Sequence, residues 1–235
     1  MSATKVEFNS NAQSLSEAFD HIVISRRSIR AFLPDPVDTE TLEKIFSVAN
    51  YAPSNCNTQP WVPHVVSGAK RDLMRDALIE TIGKGEHALD FPYEGKYSGV
   101  YRQRQLEVGL MLYKALGVTR EDKEGKRQAF LRNLEFFDAP HVVFIFMPDW
   151  ADIREAVDVG MYAQNLMLTM QAHGVTSCSQ TILGYNADVV REQLGIEASE
   201  KLLFGISFGY ADMSRPENLI QPSRATLDES THFHE

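Results

Sequence analysis

Three stretches of this chain group side chains suited to holding a small polar ligand. The first is Arg26-Arg27-Ser28-Ile29-Arg30. Guanidinium forks bind phosphate oxygens in pairs and never lose their charge, and Ser28 adds a hydroxyl donor, so the segment suits a phosphate monoester. Read alone, it is first of all a solvated basic turn. The second is Ala52–Trp61 (APSNCNTQPW), where a helix stopped by proline is followed by five side chains that donate or accept hydrogen bonds. Pro60-Trp61 then fixes the exit and supplies an apolar anchor. Such a loop can read the polar edge of a heterocycle, or it is an Asn/Ser-rich turn. The third joins Thr176–Gly184 (TSCSQTILG) to Arg224 in the tail. Gln180 and Thr181 follow a predicted buried strand, at the kind of strand end where ligands gather in layered folds. On composition alone, Arg224 is a surface arginine.

Other chemistry is set aside. No GxxxxGK[ST] or GxGxxG occurs, so a phosphate here is not expected on a P-loop or a Rossmann turn. Cys56 and Cys178 make neither a CxxC nor a Cys/His ligand spacing, so no disulfide framework and no metal site is expected. His232 and His234 read as a frayed tail, and His173 before Gly174 as a helix C-terminal cap. Cys56 lacks a basic partner in sequence that would activate it as a nucleophile.

With 235 residues, 43% of them hydrophobic and 23% charged, the chain can bury one full core, which points to a single domain over 1–235. A net charge of −9 without a Lys/Arg-rich block argues against nucleic acid or an anionic membrane surface as the main partner. The N-terminal MSATKVEFNSNAQSLSEAF has no basic region followed by an apolar one, and no apolar run reaches membrane-spanning length. The expectation is a cytoplasmic protein that is neither exported nor membrane-bound.

The elements that must position the three stretches follow from periodicity. Leu15, Phe19, Ile22 and Val23 mark a first helix ending at Ser25-Arg26-Arg27; Asp38 caps a second, whose Leu42, Ile45, Phe46 and Ala49 face one way. His64-Val65-Val66 starts a strand, and a helix follows from Gly68 to Ile82 with Leu73, Ala77 and Leu78 inward. Residues 83–98 lose periodicity and read as a mobile lid, which extends to 105 when the aromatic and basic residues up to Arg104 are included. Helical patterns resume at Arg102–Leu116, with Gly117 as the residue after the cap, and at Lys123–Phe137. His141–Met147 and Leu202–Phe208 are continuous apolar runs, expected as central strands covered on both faces. Between them, Ala156, Val159, Gly160, Ala163, Leu166, Met167 and Met170 form the longest apolar stripe, a buried central helix wide enough to meet a second copy. Val175–Gln180 is another strand and Asn186–Leu194 a capped helix. After Tyr210 the chain turns polar, and 213–235 is expected as an extended C-terminal arm. The order of elements predicts an α+β fold, a mixed sheet with helices on both sides.

The R-R-S-x-R start followed by A-P-S-x-x-N-x-Q-P-W, with Phe136-Phe137-x-Ala139-Pro140, Gln164–Leu168 (QNLML), Gly205, Gly209-Tyr210-Ala211-Asp212 and the tail arginine, resembles the FMN-dependent nitroreductase family over nearly the whole chain. The later motifs look like the branch that includes nitrobenzoate reductases. The resemblance implies a largely antiparallel central sheet, a homodimer, non-covalent FMN, and NADH or NADPH as electron donor to an aromatic acceptor. By that likeness Arg26, Arg27, Ser28 and Arg30 meet the FMN phosphate and ribityl chain, and Arg224 completes the phosphate site. Pro53, Ser54, Asn55 and Asn57 match the loop that reaches the flavin of the second subunit. Gln180, Thr181 and the backbone to Gly184 match the stretch along the flavin ring near N5, and Gln103 a polar side chain toward its pyrimidine edge. The branch commonly reads Cys-Pro-Gln where this chain has Cys178-Ser179-Gln180, which leaves the backbone path beside the ring open. No protein nucleophile or general acid is implied, because the flavin carries the electrons. Tyr97, Tyr101, Arg102 and Arg104 are the expected substrate contacts, the arginines for a substrate carboxylate. Reductive dehalogenation or enone reduction on the same scaffold, and flavin binding without turnover, are the rival readings.

Overall fold

The structure, a computed structural model, describes residues 14–235. Residues 1–13, on which the reading of the N-terminus rests in part, lie outside the described residues. In chain order the elements are α1 (Leu15–Ser25), α2 (Thr39–Ala49), β1 (Val62–Ser67), α3 (Gly68–Gly83), α4 (Gly99–Ala115), α5 (Lys123–Leu131), β2 (His141–Pro148), α6 (Ile153–Ala172), β3 (Thr176–Gln180), α7 (Ala187–Leu194), β4 (Glu200–Gly209) and α8 (Leu227–Ser230).

The four strands pair in the order β1-β2-β4-β3 and every pairing is antiparallel. The parallel contacts are isolated bridges, Ser28 to Ser177 and Ala88 to Asn186. This is the α+β layering expected, with the mixed character confined to those bridges. β2 explains why there are two cores. Its side chains alternate, so Val142, Phe144 and Phe146 face one layer and Val143, Ile145 and Met147 the other, all buried. The first set packs with Met74 and Leu78 of α3 and Val190 of α7; the second packs with Ile45 of α2 and Val159 and Leu166 of α6. Each such side chain contributes about 1.5–3 kcal/mol of transfer free energy.

Three local expectations are corrected. In α3 the inward row is Met74 and Leu78, and Leu73 is 59% exposed, because one residue's step turns a side chain about 100° around the helix. The helical pattern over 123–137 stops at Leu131, and Phe136, Phe137 and Asp138 follow with φ of +55°, +56° and +66°. In that left-handed turn the two consecutive phenylalanines are both buried in the core. Arg132 holds it by pairing with Glu135 at 3.0 Å and Asp138 at 2.6 Å. In α6 the stripe is inward except for Gly160, which is exposed and belongs to a second, outward row with Ile153, Val157 and Met161.

The segment expected as a lid begins as expected after α3, but α4 starts at Gly99, so residues 99–105 are helical. Its first half is also fastened rather than free. Ala88 N–H donates to the Tyr185 carbonyl at 2.9 Å, Ala187 N–H donates to the Ala88 carbonyl at 3.0 Å, and Asp90 takes both Arg191 Nη groups at 2.6 and 3.0 Å. With its amide oriented to donate, Asn186 bridges the Glu86 and Tyr185 carbonyls instead of capping α7. Among the described residues no helix is long and apolar enough to cross a membrane.

Candidate functional site

The C-cap of α1 is Arg26, whose extended ψ of 124° takes the chain off the helix axis. The helix end, α6 and the C-terminal arm then enclose a cavity of about 680 Å³ whose polar lining is His21, Ser25, Arg26, Arg27, Gln164, Gln221 and Arg224. Residues almost two hundred positions apart in sequence thus share one wall. Burial, and then the charge of Arg224, push Arg26 below the usual arginine value, and no carboxylate acts on it. Among the described residues, like charges are gathered here without a counter-ion, which suits an anion.

A second cavity of about 640 Å³ at the start of α3 is lined by Arg71, Arg75, Glu135, Asp138 and His141 among others. There the guanidinium charges are already matched. Arg71 pairs with Asp72, and Arg75 pairs with Asp76 at 2.8 Å and Asp72 at 3.2 Å. Among the described residues, the arginines of the first cavity have no such carboxylate partner.

Ser28 and Arg30 do not line the arginine cavity. They run beside β3: Ile29 N–H donates to the Ser177 carbonyl at 3.1 Å, and the Arg30 guanidinium donates to the Ser28 carbonyl at 3.3 Å. The Cys178 thiol, fully enclosed between them, is pushed up by burial, against the opposing influence of Arg30, Ser28 and Arg26.

The loop after α2 is exposed from Pro53 through Gln59 except for Ser54, which is half-buried. Cys56, Asn57 and Gln59 have φ of +50°, +58° and +48°, conformations that cost a non-glycine residue free energy and persist only where surroundings impose them. Those surroundings are visible. Asn55 N–H donates to the buried Asp158 carboxylate of α6 at 3.0 Å, and Gln59 N–H donates to Ser54 Oγ at 3.0 Å. Trp61 stacks on Tyr162 with centroids 4.9 Å apart and donates Nε1–H to Asn50 at 3.2 Å. The strained loop therefore presents Asn55 and Asn57 outward on a rigid base.

Gln180 is spoken for: its amide donates to the Asn133 carbonyl at 2.9 Å and accepts from Ser207. Its side chain is thereby taken up inside the protein. Thr181 and Gly184 line a separate small cavity of about 160 Å³ under Phe91, Tyr93 and Tyr185. Tyr93 is hydrogen-bonded to Tyr97 at 3.0 Å, which pushes it up to about 12. Gly184 is required by packing, since a Cβ there would lie 2.6 Å from the Leu203 carbonyl oxygen. Gly184→Ala is expected to cost about 1–3 kcal/mol, lowering Tm by roughly 2–4 °C per kcal/mol. An unchanged Tm would show that the β4 backbone yields at no cost. Tyr101, Arg102, Gln103 and Arg104 are all exposed on α4, and none lines any of these cavities.

The nitroreductase family pattern matches residues 23–210, from the last turns of α1 to the end of the sheet. The chain belongs to the nitroreductase family. Nitroreductase NfnB of Mycolicibacterium smegmatis is 45% identical over 220 residues, covering 93% of this chain and 94% of that one. The 4-nitrobenzoate reductase of Pseudomonas putida is 32% identical over 222 residues, covering 93% and 96%. Among solved structures, the FMN-dependent nitroreductase NfnB from Mycobacterium smegmatis in complex with NADPH superposes with a TM-score of 0.91 at 44% identity, over 94% of this chain and all of that one. In this nitroreductase, several residues that shape the site carried no signal in sequence. In the linear sequence Asp158 is one of several charges on a helix, and Asn218 and Gln221 lie in a polar tail, none of them within a motif.

Proposed function

We propose that this nitroreductase is an oxidoreductase that holds FMN non-covalently and uses NADH or NADPH to reduce nitroaromatic or similarly electron-poor aromatic molecules. The observation that carries this reading is the uncompensated cluster of Arg26, Arg27 and Arg224, a fit for the dianionic phosphate of a mononucleotide. When bound, FMN supplies the two-electron chemistry, accepting hydride from nicotinamide and delivering it to the acceptor in a second half-reaction. The protein's part is positional. The arginines and Gln164 hold the phosphate end, Ser28 and Arg30 follow the ribityl chain along β3, and the backbone from Gln180 to Gly184 borders the ring. Phe91, Tyr93 and Tyr97 cover that border and exclude water from the acceptor.

The working unit is a homodimer in which Pro53, Ser54, Asn55 and Asn57 serve the flavin held by the other subunit. Support comes from a loop that spends strain on pointing polar groups away from its own core. We place the protein in the cytoplasm, where two unpaired cysteines, one of them exposed, fit a reducing compartment. The purified protein is expected to show a flavin spectrum that NADPH or NADH bleaches and a nitroaromatic restores. Bound flavin that neither nicotinamide bleaches would instead favour binding without turnover.

The substrate proposal is narrower. Arg102 and Arg104 stand on a helix with no buried residue, ahead of the exposed Leu106 and Leu110. The Arg102 guanidinium is engaged by Gln105, which leaves Arg104 as the freer partner for a substrate carboxylate. We expect 4-nitrobenzoate to have a higher kcat/KM than nitrobenzene, and Arg104→Ala to erase the difference mainly through KM. Equal efficiency for the two compounds in the wild type would sink the carboxylate idea and leave the flavin assignment standing.

A further inference from the structure

The two halves of the arginine cavity come from opposite ends of the chain, and one buried side chain ties them together. Asn218, in the short turn Pro216–Leu219 of the arm, is 1% exposed. Its Oδ1 accepts the Arg30 backbone N–H at 2.7 Å, while its two Nδ2 hydrogens go to the Ala31 and Asp212 carbonyls, each at 2.8 Å. Around it, Asp212 N–H donates to the Ala31 carbonyl at 3.1 Å and Leu33 N–H to the Tyr210 carbonyl at 2.8 Å. The segment that carries Arg26 to Arg30 is therefore stitched to the start of the arm, and Asn218 is the last stitch before the arm runs through Gln221 to Arg224.

A carboxamide is the only common side-chain group of this size that offers both donors and acceptor. Aspartate keeps the bond from Arg30 but loses both donors and sets a charge against two carbonyls. Alanine leaves the Arg30 N–H without its acceptor and takes one of two donors from each carbonyl, which keep only the Asp212 N–H (on Ala31) and the Arg215 N–H (on Asp212). Phosphate recognition by guanidinium forks tolerates little displacement, because both N–H···O bonds must be near linear.

We propose that Asn218 is a positioning residue that fixes the register between the Arg26–Arg30 segment and Arg224, and thereby sets the preference for a phosphorylated over an unphosphorylated flavin. This rests on the reading of the arginine cavity as the phosphate site. A purely structural asparagine would lower stability and the affinity for both flavins alike. A positioning residue alters their ratio.

The test equilibrates the flavin-loaded protein with a mixture of FMN and riboflavin, re-isolates it and measures the ratio of bound flavins, for wild type, Asn218→Ala, Asn218→Asp and Arg224→Ala. The expected result is an FMN-to-riboflavin selectivity reduced about tenfold or more by Asn218→Ala, and reduced also in Asn218→Asp, which keeps the contact to Arg30 but turns a charge on the Ala31 and Asp212 carbonyls. Should the alanine variant fail to fold, the aspartate variant decides. Selectivity unchanged in the Asn218 variants while Arg224→Ala loses it would overturn the role given to Asn218. Wild-type selectivity in Arg224→Ala would instead remove the phosphate reading beneath it.

Discussion

Arg26→Ala and Arg224→Ala are each expected to weaken FMN binding about tenfold to a hundredfold, the loss of one charge-assisted contact worth about 1.5–3 kcal/mol. The two residues face one cavity, and the charge of Arg224 already acts on Arg26, so a phosphate between them relieves repulsion as well as gaining two contacts. The double variant is therefore expected to lose flavin on dialysis. Arg30→Ala is expected to fall at the lower end of the range, since its guanidinium lies beside β3 with a bond to the Ser28 carbonyl and lines no part of that cavity. Flavin release on dilution, read by fluorescence, measures all four variants. Full flavin occupancy of Arg26→Ala after exhaustive dialysis would place the phosphate elsewhere.

The second large effect concerns assembly. The outward row of α6 carries Ile153 at 75% and Val157 at 60% exposure, and α1 beside it exposes Leu15, Phe19 and Ile24. Apolar residues grouped on neighbouring helices in this way mark an association surface rather than scattered surface leucines. A glutamate in its middle would have to be buried without a partner, at several kcal/mol per subunit. If the proposed homodimer with its shared site holds, Val157→Glu is expected to yield a 26.5 kDa species that has lost its flavin, because each protomer would then lack the Pro53–Asn57 loop of its neighbour. Light scattering with absorbance detection reads both quantities at once. A wild-type protein that runs as a monodisperse 26.5 kDa particle with full flavin would refute the shared site.

Much of the fold was legible because burial leaves a periodic trace. The unbroken apolar run of β2 announced a strand covered on both faces, which it is, and the stripe of α6 a buried helix face, which is covered while the opposite row of Ile153 and Val157 is not. The left-handed turn at Phe136–Asp138 was not legible, because local propensity disfavours it and only the core's demand for both phenylalanines selects it. At the site, residue type showed which groups bind anions but not which of them are already satisfied. Gln180 has the right chemistry and the right strand end, yet its amide is consumed by Asn133 and Ser207. Conversely, the importance of Asp158 and Asn218 lies largely in backbone groups brought to them from more than a hundred residues away, Asn55 for the one and Arg30 and Ala31 for the other, about which a linear pattern is silent.

The stitching of residues 30–33 to the arm has a consequence for turnover in the cell. A cofactor that bridges α1 and Arg224 acts as a clasp across nearly the full length of the chain. Opening the arm and releasing the flavin are then a single linked equilibrium, and mass action raises the free energy of opening by about 1.4 kcal/mol for each tenfold rise of free FMN above its dissociation constant. Proteases cut opened segments, so the lifetime of the enzyme is tied to the supply of its own cofactor. A cell short of flavin would clear this protein by ordinary degradation, with no dedicated signal.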